Sequence, residues 1–194
     1  MLDGILLWIS LVFDKYYALL LPAALAVGAV VLRRRKVLLL ALLLVVLVVP
    51  VLKGAFGEDR PCFSEPFQGD CLSDYGLPSF HAASSTVFVM AALGSVWFWP
   101  FAAFAAIASG SRVYLNLHSL SQVAGGVALG IALYAFSAWL VTVLERSEAD
   151  GEVQARSGRR GGTAPVGRQR VRAGRRPSAS HRVRLKKRFG RGPR

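Results

Sequence analysis

Apolar residues in this chain come in long unbroken runs rather than in short alternating stretches. Residues 16–32, 37–52, 82–99, 101–117 and 119–144 are almost free of ionised side chains, with Arg112 the main exception. At a rise of ~1.5 Å per residue, helical runs of this size reach roughly 24–39 Å, enough to cross a hydrocarbon layer of about 30 Å. No period-2 pattern of the kind a transmembrane barrel needs is present. Backbone polar groups in lipid must be satisfied within their own segment, so the pattern predicts an all-α integral membrane bundle.

Five helices follow from these runs, and a sixth depends on residues 1–13. Their apolar stretch is short, bracketed by Asp3 and Asp14, with no basic leader or small-residue cleavage site, which argues against a signal peptide. Such a segment is either a short first span or an interfacial helix. The reading adopted is a short sixth helix.

Charge divides the chain. Of 194 residues 54% are hydrophobic, and the mean hydropathy is +0.44, yet the formal net charge is +13. Residues 1–146 hold nine Lys/Arg against eight Asp/Glu, whereas 147–194 hold fifteen against three. An apolar body with a basic tail excludes a soluble enzyme and a collagen-like or repeat chain. With Cys62 and Cys71 as its two cysteines, it also excludes a disulfide-dense secreted miniprotein. The expected organisation is a membrane-embedded domain over 1–146, with its chemistry in 53–122, and a tail over 147–194. The tail is rich in Arg, Gly, Ser and Pro, is too poor in large apolar side chains to bury a core, and is expected to be disordered.

Orientation follows from the same charges. Arg33, Arg34, Arg35 and Lys36 separate two apolar runs, and Lys/Arg-rich flanks stay in the cytoplasm. Residues 16–32 then run inward, 37–52 outward, 82–99 inward, 101–117 outward and 119–144 inward, with 53–80 outside. The basic tail falls on the cytoplasmic side without adjustment. Trp97–Pro100 marks an inner corner, and Gly126 and Gly130, four apart, point to close helix packing.

The outward ends gather the polar chemistry: Lys53, Glu58, Asp59, Arg60, Asp70, Asp74, Ser79, His81, Ser111, Arg112 and His118. Three cations converging at a helix-end interface repel one another unless an anion lies between them, and a phosphate or pyrophosphate head group is the natural anion. A lone cation there would more often snorkel to lipid head groups, and Ser79 alone would be a simple helix cap. All three cations together with two histidines favour a site. Ser79 precedes a helix whose free N–H groups form an anion pocket. A neutral imidazole can attack phosphorus and a protonated one can supply the leaving group's proton. No Asp/His/Glu cluster has metal-ligand spacing, so no metal and no cofactor is expected.

These residues resemble the type-2 phosphatidic-acid phosphatase family of membrane lipid phosphatases, whose motifs are Lys-x6-Arg-Pro, Pro-Ser-x-His and Ser-Arg-x5-His-x3-Asp. Here they read Lys53-GAFGED-Arg60-Pro61, Pro78-Ser79-Phe80-His81 and Ser111-Arg112-VYLNL-His118-SLS-Gln122. The resemblance covers about 37–144. It implies a bundle of commonly six spans, a site at one membrane surface and no required metal. It makes His118 the nucleophile that forms a phosphohistidine and His81 the general acid. Lys53, Arg60 and Arg112 would clamp the phosphate, helped by Ser79, the Phe80 backbone and Ser111. One position departs: Gln122 stands where the family has Asp. Gln accepts a hydrogen bond from the ring N–H but brings no charge, and a nearby carboxylate would compensate. Ser119-Leu120-Ser121-Gln122 is also a capping-box pattern, and both roles can coexist.

Arg60-Pro61-Cys62, Tyr75-Gly76-Leu77-Pro78 and Ser121-Gln122-Val123 look most like the dolichyl-diphosphatase branch, which implies a polyprenyl diphosphate as substrate. The alternatives are a phosphatidate or other phosphomonoester phosphatase, a lipid phosphotransferase of the same superfamily, or a non-catalytic membrane protein with a recruiting tail. Cys62 and Cys71 flank eight residues on the outer face, where oxidation is permitted, so they form either a disulfide or two separate thiols. Expected partners are the lipid phosphate or diphosphate and membrane lipids. The tail is expected to lie on anionic head groups, with no specific nucleic acid. The expected location is the cell membrane, with the site outside.

Overall fold

The computed structural model describes residues 2–64 and 71–161. Among them all regular structure is helical: α1 Leu2–Val31, α2 Arg35–Phe56, a 3-10 turn Pro61–Phe63, α3 Phe80–Ala92, α4 Phe98–Tyr114 and α5 Leu120–Gly161. Three of these, α1, α2 and α5, are long and apolar enough to cross a membrane. Residues 1–153 form one compact unit, and 154–194 fall in a second.

The sixth helix is not there. Residues 2–13, read as a separate short span, are the first turns of α1. Nothing interrupts the run between them and residue 16 except Asp14 and Lys15, and neither breaks a helix. Asp14 is neutralised by Arg112, whose Nη1 donates to its Oδ1 at 2.6 Å, so the charge is no obstacle to continuity.

Glycine turns the chain after two helices, and the first of these turns lies at the site. Gly57 closes α2 at φ 60° while its N–H bonds to the Lys53 carbonyl, a left-handed cap that turns the chain back toward the bundle. The third segment, expected over 82–99, stops at Ala92, because Gly94 at φ 77° and Ser95 turn the chain before Phe98 starts α4. The boundary expected at residue 146 does not end α5, which continues as helix to Gly161. The stretch after 144 holds Glu, Ala, Gln and Arg, good helix formers that need no core to stay helical. The rest of the expected disordered tail, 162–194, lies outside the described residues, as does Asp70.

Helix α3 packs against α2 and α4, and α1 against α4. Val45, Leu38 and Ala41 of α2 meet Val87 and Phe88 of α3, Phe101 of α4 and Tyr134 of α5 in the interior. Leu43, Val46, Leu47 and Val51 of α2 face outward and exposed, the arrangement of a helix with lipid on one side and protein on the other. The two small residues of α5 do what their spacing predicts. A Cβ on Gly126 would lie 2.5 Å from the Ser79 carbonyl, and one on Gly130 would lie 2.5 Å from that of Ala83, so α5 touches the α3 backbone directly.

Candidate active site

Successive helices α2 to α5 alternate in direction, so the end of α2, the start of α3, the end of α4 and the start of α5 share one end of the bundle. Lys36 and Glu145 pair at 2.9 Å near the other. The shared end encloses a cavity of about 320 Å³ lined by Lys53, Arg60, Phe80, His81, Arg112 and His118. The two histidines therefore face one space. Ser79, Ser111 and Gln122, also expected at the site, stand behind this wall.

Each side chain is aimed by local structure. Lys53 lies in the last turn of α2, and Arg60 precedes the 3-10 turn, where the Cys62–Cys71 disulfide ties the loop. Asn116 adopts φ 53°, a left-handed conformation that Asn tolerates better than most residues. This reversal lets the N–H groups of Leu117 and His118 both bond the Arg112 carbonyl, at 2.9 and 3.1 Å, and so swings His118 inward. Ser79 occupies the cap position of α3, yet its hydroxyl makes no capping bond.

Arg60 is the hub. Its Nη2 donates to Asp74 Oδ1 at 2.6 Å and its Nε to the Asp74 carbonyl at 3.0 Å. Its Nη1 donates to the Leu117 carbonyl at 3.2 Å and lies 3.1 Å from His118 Nε2. Lys53 pairs with the other carboxylate oxygen of Asp74. Among the described residues three buried polar side-chain atoms are left without a partner: Ser79 Oγ, His81 Nε2 and Arg112 Nη2. Such groups are costly when unsatisfied, which marks this end of the bundle as built to receive a polar ligand.

The tautomer of His118 follows from its neighbours. Gln122 Nε2 donates to Glu58 Oε1 and to the Asp59 carbonyl, both at 2.9 Å. Its oxygen therefore faces His118 Nδ1 at 3.1 Å and accepts that N–H. The Nε2 lone pair is left toward Arg60 and the cavity. Burial first, then the Arg60 guanidinium, pushes the His118 pKa down to about 3, so the ring is neutral at ordinary pH. Gln122 and Ser119 also form the reciprocal cap expected at the start of α5, with Gln122 N–H to Ser119 Oγ at 3.2 Å and Ser119 N–H to Gln122 Oε1 at 3.3 Å. The one Gln122 side chain makes both sets of contacts, to the His118 ring and within the cap of α5.

The family model for the PAP2 superfamily matches residues 36–146. The chain belongs to the PAP2 superfamily. It is also similar to the crystal structure of the first transmembrane PAP2 type phosphatidylglycerolphosphate phosphatase from Bacillus subtilis. The TM-score is 0.53 at 20% identity, over 73% of this chain and 77% of that one. No curated protein sequence matches the chain. The protein is thus an integral membrane helical bundle of a phosphatase superfamily. Among the described residues no cluster of three His, Cys, Asp or Glu side chains is placed to hold a metal ion.

In this PAP2 protein several site residues escaped sequence reasoning. Asp14 pairs with Arg112, and Tyr17 packs on His81 with ring centroids 3.8 Å apart and the ring planes tilted by 36°. Both come from α1, whose first half carries no family motif. A charge inside an apolar run was the available signal for Asp14. Glu58 and Asp74 stood out as polar, but nothing in the sequence named their partners.

Proposed function

We propose that this protein hydrolyses a lipid phosphate or diphosphate, a polyprenyl (dolichyl-type) diphosphate foremost, through a phosphohistidine on His118. The observation that carries this reading is the His118 imidazole, neutral, with its Nε2 lone pair facing a cationic cavity and its Nδ1 proton held by Gln122.

In the proposed mechanism the substrate phosphate displaces Asp74 and lies against Lys53, Arg60 and the free Nη2 of Arg112. Ser79 Oγ and the first N–H groups of α3, Phe80 included, supply further donors, while Ser111 holds Arg112 through its Nε, 3.4 Å away. His118 Nε2 attacks phosphorus, and the bond to the leaving oxygen breaks as that oxygen takes a proton from His81 Nε2. His81 then removes a proton from water, whose oxygen attacks the phosphohistidine and releases phosphate with His118 regenerated. The cations provide the charge neutralisation, so the reaction is proposed to need no metal.

Four cationic side chains, Lys15 among them, and two carboxylates line the cavity, leaving an excess of +2 for the anion before any charge on His81 is counted. Tyr17, Ala18 and Leu21 of α1 form an apolar wall on the same cavity, which suits a substrate with a hydrocarbon chain. The site is proposed to open at the extracytoplasmic face of the cell membrane, with the basic tail in the cytoplasm on anionic lipid. The deciding experiment is phosphate release by purified protein in chelator, offered polyprenyl diphosphate, phosphatidate and glucose 6-phosphate side by side. Turnover of the first above the others supports the reading. No release from any of them, or release only on adding a divalent metal, overturns it.

A further inference from the structure

The carboxylate that the third motif lacks is present one residue further out. Gln122 relays between His118 Nδ1 on one side and Glu58 Oε1 on the other, at 3.1 and 2.9 Å. Three separate chain segments hold this relay. Glu58 follows the left-handed cap of α2, and its carbonyl accepts the Gly76 N–H at 2.7 Å. Gly76 lies flat against the Gln122 carboxamide, so close that a Cβ there would collide with Oε1, Cδ and Nε2 alike. Asp59 accepts the second Gln122 amide proton through its carbonyl. The carboxamide is therefore fixed in one orientation.

From this geometry we infer that Glu58 is a positioning residue for His118, acting through Gln122 in place of a directly bonded carboxylate. The inference rests on His118 being the nucleophile, as proposed above. Attack from Nε2 leaves the ring positively charged with its proton on Nδ1. Charge on Glu58 polarises the Gln122 amide, makes Oε1 a stronger acceptor and so favours that cationic ring more than the neutral one. The term acts in the transition state, and it belongs in kcat. A carboxylate placed directly at 122 would instead face Glu58 and the Asp59 carbonyl, two acceptors with no proton between them.

Charge and geometry are separable by exchange. Glu58→Gln keeps an oxygen to accept the Gln122 N–H and removes only the charge. It should lower kcat about tenfold and leave KM within about twofold, since outer partners of a working imidazole typically matter by 10- to 100-fold. Gln122→Glu alone should be worse, with two acidic groups opposed. The exchanged pair, Glu58→Gln with Gln122→Glu, should recover to within about threefold of the starting kcat, because one carboxylate and one amide again face each other. A merely structural Glu58 would give no such rescue. His118→Ala is run beside them. If it retains turnover, the nucleophile reading falls and this inference with it. If it is inactive while Glu58→Gln keeps full kcat, or while the exchanged pair is no better than Gln122→Glu, only the role of Glu58 is overturned.

Discussion

Arg60 holds Asp74 by two donors at once, Nη2 on the carboxylate at 2.6 Å and Nε on the backbone carbonyl at 3.0 Å. The same carboxylate also engages Lys53, so an internal anion occupies two of the cations proposed to grip phosphate. Burial works to raise the Asp74 pKa, but Lys53 and Arg60 outweigh it and hold the carboxyl below its ordinary value. Asp74 thus stays ionised at neutral pH and competes with substrate.

Asp74→Asn removes that competitor. KM for a lipid phosphate is expected to fall about threefold or more, and inorganic phosphate to inhibit at lower concentration, since one ion pair is worth roughly 1 kcal/mol when half exposed. An unchanged or higher KM would mean Asp74 orders the cations rather than blocking them. The stability sign is fixed as well: a depressed carboxyl contributes stability above its unfolded pKa, and that contribution is lost as pH falls through the folded one.

Loss of the nucleophile is the severest test of the chemistry. His118→Ala is expected to reduce phosphate release by on the order of 10⁴-fold or more, judged against nucleophile deletions elsewhere, with the helical content unaltered. Trapping of radiolabelled phosphate on protein quenched in alkaline detergent, where a phosphohistidine survives, should disappear in the same variant.

The pH dependence separates His118 from an ordinary histidine. Its pKa of about 3 lies below the usual value, so protonation that would silence the nucleophile is postponed until strongly acid pH. The ring nitrogen resonances of His118 should therefore not titrate between about pH 5 and 8. A midpoint near 6.5 by nitrogen NMR would contradict the burial and charge argument. Because the folded pKa is the lower one, His118 costs the fold stability as pH drops below the unfolded value.

Close packing at Gly126 links stability to the site. Gly126→Ala forces its Cβ against the Ser79 carbonyl, a backbone atom that cannot step aside, and should destabilise by about 1–3 kcal/mol. The thermal midpoint in detergent should drop, and activity should drop with it, because α3 carries His81.

Breaking the Cys62–Cys71 bond should act on the loop between α2 and α3 alone. Cys62→Ser with Cys71→Ser is expected to cost about 2–3 kcal/mol, the entropy of a short loop released in the unfolded chain. The reading is the shift of the thermal midpoint, and reductant should produce the same shift.

Membrane character, helix number to within one and the basic and imidazole residues that line the cavity were legible along the chain, because each is a local property. An apolar run long enough to cross lipid has few options besides a helix, and motif residues at helix ends reach one face once the runs alternate in direction. Pairing was not legible. Asp14 to Arg112 spans 98 positions and Gln122 to Glu58 spans 64, and no local preference encodes which distant charge a side chain will meet. The neutralisation of Asp14 within α1 depended on Arg112 arriving from α4, and the orientation of the Gln122 amide on Glu58, Asp59 and Gly76 closing around it. Those outcomes belong to the tertiary structure, since only packing fixes which groups share a dry space and must satisfy one another there.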